Sequence, residues 1–431
     1  MSPSYIATLD SLKWHTSPSM AAAATSATNA RQPSEAGSQG TAAAAVAPAL
    51  AARPPVCVTG ATGFVGVHIV EELLRCGYTV HATVRNPDAA KVAHLRSLVA
   101  TTTTANGGTP RLRLFAADLT KPGSFDEAIA GCNVVVHSAA VVQEYFDKDP
   151  MAEVVQPGID GVRNVVASCE KYGVKRIVFT GSVSTVRQLE ATRSPDRRGK
   201  PFNEEEFGAH PKLSPTYGTY NYAKYVAEKE IFSLWKGSLI SILPSWCIGP
   251  QRTKDVTSSQ QMLKMLALKQ YPLVPRAYLE LVDVRDVAVA HRLAVETTAV
   301  HRDRFIASGG VVRDAGEFAR LVNEVCPTLA VPTRMMPWFV LWCSSWWEKR
   351  VTPFFLNERA VAAPPFDNSK IERVLGLRLS QRDVKASIAD ALRSFMDYGI
   401  LPKQYDIVYA EPFRLVEPTA AASECAPTAS A

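Results

Sequence analysis

The chain contains 431 residues, of which 47% are hydrophobic, 20% charged and 8% aromatic. This composition excludes a largely disordered, fibrous or coiled-coil protein, and the length allows one large domain or two. The net charge of +6 is spread without a long Lys/Arg run, which argues against a nucleic-acid partner. No apolar run reaches the length of about 18 residues that is typical of a membrane-spanning helix.

Cysteine spacing and the composition of the chain ends bear on the class of protein and on its cellular compartment. The eight cysteines form no CxxC pair and no zinc-type cluster, so we predict reduced thiols, no metal site and an intracellular, reducing compartment. Residues 1–53 are rich in Ala, Ser and Thr and predict a disordered tail or, alternatively, an organellar transit segment. Residues 404–431 predict a second tail. The location is then cytoplasmic, or organellar if a transit segment is present.

Strand-like and helix-like segments alternate from residue 56 onward. Apolar runs predict strands at 56–59, 78–84, 111–116, 134–137 and 175–180. Helical spacing predicts helices at 64–76, 88–100, 125–130 and 151–172, a loop at 101–110, and closing helices at 367–375 and 383–398. This alternation predicts an α/β fold, a Rossmann-type doubly wound parallel sheet, with a smaller, mostly helical C-terminal lobe.

A glycine-rich turn follows the first predicted strand and opens the first predicted helix. It has the pattern GxxGxxG, with the candidate phosphate-binding residues Gly60, Thr62, Gly63, Phe64, Val65 and Gly66. Glycines let the backbone approach a pyrophosphate, and the helix N-terminus offers free N–H groups and a positive dipole end. The strand–turn–helix context therefore predicts a dinucleotide site.

The end of the second strand favours NADP(H) over NAD(H). An acidic residue there would bind the ribose 2′-hydroxyl of NAD, but the chain has Arg85, which can pair with a 2′-phosphate. Lys91 is a candidate second cation, and Asp118 is a candidate acceptor for the adenine amino group. NAD(H) stays an alternative.

A Ser/Tyr/Lys set carries the candidate chemistry. Tyr220 and Lys224 are four residues apart and share one helix face, and a neighbouring ammonium lowers the pKa of a phenol. Ser182, at the end of a predicted strand, can donate to a substrate oxygen as charge develops, with Ser184 as a competing choice.

The ordered motifs resemble the extended short-chain dehydrogenase/reductase family, in the branch of dihydroflavonol reductases, cinnamoyl-CoA reductases and 3β-hydroxysteroid dehydrogenases. The matching stretches lie within about 54–400 and are 58–66, 82–85, 117–119, 136–140, 177–182, Tyr220 with Lys224, 244–250 and 366–370. The resemblance implies a catalytic triad of Ser182, Tyr220 and Lys224. It also implies that a cofactor is lined by Gly60, Gly63, Phe64, Val65, Arg85, Asp118, Leu119, Ser138, Ala139 and Ala140, with Pro244 and Cys247 near the nicotinamide.

The chain departs from the family pattern at two places. Many members carry an asparagine early in the helix after the fourth strand, which holds a proton-relay water, whereas residues 156–160 of this chain contain none, so a fourth catalytic residue is not supported. Flavonoid reductases tend to have an asparagine where this chain has Arg187, so a flavonoid substrate is not supported. The basic segment from Arg187 to Lys200 is either a solvated loop or a contact for an anionic substrate such as a CoA thioester.

A tryptophan-rich segment remains open to three interpretations. Trp338, Trp342 and Trp346 are spaced to form one helical stripe, which Trp347 follows. The stripe packs in the core of the small lobe, forms a hydrophobic substrate wall or lid, or contacts a membrane surface. The basic residues Lys349 and Arg350, which follow directly, favour the third interpretation.

Together these features predict an NADP-dependent oxidoreductase that interconverts a carbonyl and a secondary alcohol on a largely apolar small molecule. Residues 54–250 are expected to form the NADP-binding domain with the Ser/Tyr/Lys site, and 251–403 the substrate lobe with returning sheet elements. The alternatives are a nucleotide-sugar epimerase or dehydratase with tightly bound NAD, and a non-catalytic NADP-sensing protein.

Overall fold

The computed structural model describes residues 54–105, 109–141, 149–187, 193–207, 214, 216–256, 258–348, 351–379 and 383–409. The predicted N-terminal tail therefore lies outside the described residues, and so do residues 410–431 of the predicted C-terminal tail. Residues 404–409 are described and pack against the C-terminal lobe, where the Val408 N–H donates to the Val325 carbonyl at 3.0 Å.

A parallel sheet of seven strands forms the frame of the described residues. Its order is β3-β2-β1-β4-β5-β6-β9, and every neighbouring pair is parallel. The predicted doubly wound sheet is confirmed. The strands are β1 (Val56–Thr59), β2 (Val80–Val84), β3 (Leu112–Ala116), β4 (Val134–His137), β5 (Arg176–Thr180), β6 (Ser238–Pro244), β7 (Trp246–Ile248), β8 (Tyr278–Asp283), β9 (Arg302–Ala307) and β10 (Val312–Asp314).

Helices cover the sheet because apolar side chains recur on one side of each helix and the central strands are buried along their length. They are α1 (Phe64–Arg75), α2 (Ala93–Ala105), α3 (Asp126–Ile129), α4 (Gln156–Lys171), α5 (Thr219–Leu234), α6 (Gln261–Ala267), α7 (Val284–Glu296), α8 (Ala315–Val325), α9 (Trp338–Ser344), α10 (Ser369–Leu375) and α11 (Val384–Asp397). A π-helical turn, Met151–Val155, precedes α4, and another spans Phe355–Arg359.

The predicted loop at 101–110 is wrong in its first half, because helix α2 continues to Ala105. Threonines usually compete with helical hydrogen bonding, but here their hydroxyls bond back to the preceding turn. Thr101 Oγ1 donates to the Ser97 carbonyl at 2.9 Å, and Thr102 and Thr103 make equivalent bonds. The side chains thus extend the helix rather than end it.

The C-terminal lobe is mostly helical, as predicted, with one small sheet. Strand β8 pairs with β7 in parallel and with β10 in antiparallel orientation. Helices α6, α8 and α11 enclose an apolar cluster that includes Phe318 and Phe395, both fully buried. None of the described helices is long and apolar enough to cross a membrane.

The prediction that the tryptophan stripe packs in the core of the small lobe is wrong. Trp338 and Trp342 are 44% and 49% exposed, and Trp346 and Trp347 are 74% and 71% exposed. The reason is that α9 is short and buries only Leu341, which packs against Leu356 and Ala360. The substrate-wall and membrane-surface interpretations stay predictions, and Lys349 and Arg350 lie outside the described residues.

Candidate active site

The turn after β1 is shaped by close contacts of backbone atoms. Gly60 has φ +70°, and a Cβ there would lie 2.6 Å from Ala139 Cα. A Cβ on Gly66 would lie 2.3 Å from the Gly60 carbonyl oxygen, and the Gly63 N–H donates to that same oxygen at 2.9 Å. Only glycine fits these positions, so the turn leaves open backbone in front of α1.

The N-terminus of α1 fits a pyrophosphate. Gly63, its N-cap residue, is exposed and supplies no side-chain cap, and the first turn carries no acidic residue. Thr62 and Val65 are half-buried beside it, whereas Phe64 packs into the core. Uncapped N–H groups at a positive dipole end are suited to an anion, so this end of the sheet fits a dinucleotide cofactor.

The candidate residues for the adenosine half lie at neighbouring strand ends. Arg85 is exposed directly after β2, and Lys91 is half-buried on a short turn, Ala90–Val92. Neither has a hydrogen-bond or ion-pair partner among the described residues. Hydrogen bonds from the Thr120 N–H and hydroxyl lower the pKa of Asp118, and Arg85 also contributes through its charge. Asp118 is therefore a carboxylate near Arg85.

The strand ends β1 and β4 meet below the predicted cofactor. Thr59 Oγ1 contacts His137 Nδ1 at 2.8 Å and accepts from the Ala139 N–H at 3.1 Å. Burial, together with the charge of Lys224, lowers the pKa of His137 to about 3, so this imidazole is neutral. The half-buried segment from Ser138 to Ala140 is held in place by this contact.

Ser182 lies two residues beyond the end of β5 and caps a short turn, Val183–Thr185. Its Oγ accepts from the Ser184 N–H at 3.2 Å, which leaves the hydroxyl proton of Ser182 for another acceptor. The competing Ser184 hydroxyl is buried from solvent and has no partner among the described residues. Both hydroxyl protons are thus available, and Ser182 stays the predicted donor to a substrate oxygen, with Ser184 as the competing choice.

Helix α5 carries Tyr220 and Lys224 to the end of β5. Tyr220 is half-buried in the first turn, and Lys224 is buried one turn later. Lys224 Nζ donates to the Thr180 carbonyl at 3.1 Å, which anchors the helix two residues before Ser182. Burial lowers the pKa of Lys224 to about 8, opposed by the charge of Glu228, so the ammonium form still predominates at neutral pH.

A buried ion pair that the sequence did not reveal positions α5. Arg304 on β9 donates to both carboxylate oxygens of Glu228, at 3.0 and 3.1 Å, one turn after Lys224. Arg304 also donates to Thr185 Oγ1 at 2.8 Å, in the turn next to Ser182, and Ser241 donates to Glu228 at 2.7 Å. The two partners are 76 residues apart, so no local pattern could have paired them.

The segment after β6 buries both residues that are predicted to lie near the nicotinamide, and their role there stays a prediction. Pro244 is buried at the strand end, and the Cys247 thiol lies in the core, where burial raises its pKa to about 12. The half-buried Ser245 and Trp246 line an open cavity.

The basic segment from Arg187 to Lys200 divides in the structure. Arg193 and Arg197 both bind Glu206, at 2.7 and 2.8 Å, and Arg198 donates to the Arg193 carbonyl at 3.2 Å. These arginines hold the loop together. Arg187 is the member of the segment that lines the cavity, while residues 188–192 lie outside the described part of the chain.

The sheet order, the glycine turn and the Ser/Tyr/Lys set together define a short-chain dehydrogenase/reductase of the extended type. The chain belongs to the NAD dependent epimerase/dehydratase family, whose model matches residues 56–306. The predicted family and oxidoreductase class are confirmed.

The curated relatives include several reductases. The chain is 33% identical over 354 residues to cinnamoyl-CoA reductase 1 of Petunia hybrida, covering 80% of this chain and 93% of that one. It is 34% identical over 360 residues to tetraketide alpha-pyrone reductase 1 of Arabidopsis thaliana, covering 81% and 98%. It is 35% identical over 291 residues to dihydroflavonol 4-reductase of Gerbera hybrida, covering 65% and 74%.

Solved structures share the fold. Gre2 from Candida albicans in complex with NADPH superposes with a TM-score of 0.62 at 23% identity, over 80% of this chain and 99% of that one. Vestitone reductase from alfalfa superposes with a TM-score of 0.59 at 23% identity, over 81% and 100%.

Proposed function

We propose that this protein is an NADP(H)-dependent reductase that converts the carbonyl of a small, largely apolar molecule to a secondary alcohol. The observation that carries the proposal is the bond from Lys224 Nζ to the Thr180 carbonyl. This bond fixes the helix that carries Tyr220 against the strand end that carries Ser182. The similarity to cinnamoyl-CoA reductase and tetraketide alpha-pyrone reductase supports the reaction class, and the similarity to Gre2 in its complex with NADPH supports the cofactor.

The residues have distinct roles in this reaction. The bound cofactor supplies the hydride that adds to the carbonyl carbon. Tyr220 donates the proton that the carbonyl oxygen takes up, so that the product is a neutral alcohol. The Ser182 hydroxyl donates a hydrogen bond to the same oxygen as negative charge develops there. The Lys224 ammonium would stabilise negative charge on the Tyr220 phenol oxygen and would hold the cofactor ribose.

Binding of the cofactor and substrate is divided between two regions. The turn Gly60–Gly66 and the N-terminus of α1 hold the pyrophosphate, and Arg85 with Lys91 pairs with the 2′-phosphate. The segment from Ser138 to Ala140 lines the cofactor. The cavity beside Ser182 has apolar walls that include Val183, Leu279 and Phe366, which suit an apolar substrate body.

The test is NADPH oxidation by the purified protein across a panel of aryl, acyl-CoA and sterol carbonyls, with NADH in parallel. The proposal predicts consumption of NADPH, stoichiometric with alcohol formation, for at least one class. Tightly bound NAD with no net NADPH consumption would instead support an epimerase or dehydratase. Tight NADPH binding without turnover of any carbonyl would support the sensing alternative.

A further inference from the structure

The cavity next to Ser182 contains more positive charge than a purely apolar substrate requires. It is lined by Val183, which follows Ser182 directly, and by Ser245, which follows Pro244. Two arginines, Arg187 and Arg359, also line it. They come from segments more than 170 residues apart, so the fold brings both guanidinium groups to the substrate side of the catalytic serine.

The first of these guanidinium groups is only partly used by the protein. Arg187 Nη2 donates to the Glu358 carbonyl at 2.8 Å, and its other N–H groups have no partner among the described residues. Burial lowers its pKa to about 10, and the charge of Arg359 adds to this shift. The group still carries its charge at neutral pH. A largely buried cation with unused donors is unfavourable unless an anion joins it.

The charges of Glu358 and Glu280 act on Arg187 and raise its pKa, but no direct ion pair joins either carboxylate to it within the described residues. Glu280 also lines the cavity, but it accepts from the Ser308 hydroxyl and from the Phe366 N–H at 3.1 and 3.2 Å. Burial raises the pKa of Glu280, which disfavours its charged form. Arg187 forms no ion pair with any carboxylate in the described part of the chain. The hydrogen bonds of Glu280 therefore fix the segment that carries Phe366, and Glu280 acts on Arg187 through its charge alone.

Two further donors border the same space. Among the described residues, Arg359 donates only to Asn221, from Nη2 to Oδ1 at the long distance of 3.4 Å, and Asn221 directly follows Tyr220. The Ser245 hydroxyl is buried and has no hydrogen-bond partner within the described residues. Planar guanidinium groups match carboxylate oxygens in geometry, and a hydroxyl can donate a third bond.

Resting on the proposed reductase function, we propose that the cavity binds the carboxylate of a keto acid. Arg187 and Arg359 would pair with the carboxylate, with Ser245 as an additional donor. The apolar walls would hold the rest of the molecule, and the ketone would lie toward Ser182 and Tyr220. The substrate class is then an organic acid with an apolar body and a reducible carbonyl.

The experiment compares three phenyl-substituted keto acids with their methyl esters. The acids have zero, one or two methylene groups between the ketone and the carboxylate. Phenylglyoxylate, benzoylacetate and 4-oxo-4-phenylbutanoate are the acids. The ratio of kcat/KM for acid over ester is measured with NADPH. We expect at least one pair to favour the acid by about tenfold or more, because hydrogen bonds to charged groups contribute this much.

The variant Arg187→Gln should lower this acid/ester ratio by about tenfold, and Arg187→Lys should restore part of it because the charge is kept. The matched control is Arg320→Gln, an exposed arginine on α8, which should leave the ratio unchanged. Thermal unfolding of each variant confirms that it is folded. A ratio near one for every pair, or a Gln variant that leaves the ratio unaltered, would overturn the proposal.

Failure of the proposed function is distinguishable from failure of this inference. If no carbonyl oxidises NADPH, the acids and esters are titrated calorimetrically into the NADP⁺-saturated protein. Selective binding of the acids that is lost in Arg187→Gln would keep the carboxylate site and reject the reductase. Reduction of esters and acids at equal efficiency would keep the reductase and reject the site.

Discussion

The turn after β1 and the cavity beside Ser182 differ in what shapes them. The turn is formed by close contacts of backbone atoms within Gly60–Gly66 and with Ala139. The cavity is formed by long side chains from distant segments, such as Arg187 and Arg359. The turn accepts one kind of ligand and tolerates no Cβ at its closest contacts. The cavity can change its ligand by exchange of one side chain, so we expect pyrophosphate binding to be fixed more rigidly than substrate choice.

The largest effect should follow from filling the turn. In Gly66→Ala the new Cβ would lie 2.3 Å from the Gly60 carbonyl oxygen, so the backbone must shift. We expect loss of about 1–3 kcal/mol of stability and an NADPH affinity weakened by roughly tenfold or more. Quenching of protein fluorescence on NADPH titration and thermal unfolding measure the two effects.

The matched control for this variant is Gly158→Ala in helix α4, where an added Cβ meets nothing within 4 Å. Alanine there should keep or raise stability by about 0.5–1 kcal/mol and leave NADPH binding unaltered. If Gly66→Ala binds NADPH as tightly as the unmodified protein, backbone contacts do not restrict which residues the turn tolerates. The proposed difference between the turn and the cavity would then be wrong.

A smaller effect is expected at the exposed edge of the cofactor region. Arg85→Gln removes the cation proposed to pair with the 2′-phosphate, while the turn stays intact. The preference for NADPH over NADH should fall by about 10- to 100-fold, because a charge-assisted hydrogen bond is lost. Dissociation constants for both cofactors measure it.

Lys175→Gln is the control for this variant, since Lys175 is exposed just before β5, at the opposite end of the strand from the site. It should leave the preference unchanged. An Arg85→Gln protein with undiminished NADPH preference would assign the 2′-phosphate to another residue and contradict the interpretation of the β2 end.

The same contrast explains how much could be predicted from the sequence. Local sequence patterns predict the sheet, the glycine turn and the Tyr220–Lys224 pair, because these features depend on neighbouring residues and short periods. The Arg304–Glu228 pair joins β9 to α5, and Arg359 comes from a π-helical turn without a sequence signature. Such contacts depend on how the chain folds back on itself, and no local rule contains them.

The tryptophan segment shows the limit of periodicity. Spacing placed Trp338, Trp342 and Trp346 on one helix face, and Trp342 does contact Trp346, with ring centroids 5.6 Å apart. Periodicity does not predict whether another element covers a helix face, however, and the tryptophan face of this segment is exposed to solvent. The loop arginines show a similar limit, since Arg193 and Arg197 are held by Glu206, which no spacing rule would select.

The central claim is that Tyr220 transfers the proton in an NADPH-dependent carbonyl reduction. The most direct measurement is kcat of Tyr220→Phe with the best carbonyl of the panel, alongside its NADPH dissociation constant. The account predicts that kcat falls by about 10²- to 10⁴-fold while NADPH affinity is kept. Tyr222→Phe, two residues along the same helix, should retain activity. Turnover by Tyr220→Phe at the rate of the unmodified protein would contradict the account.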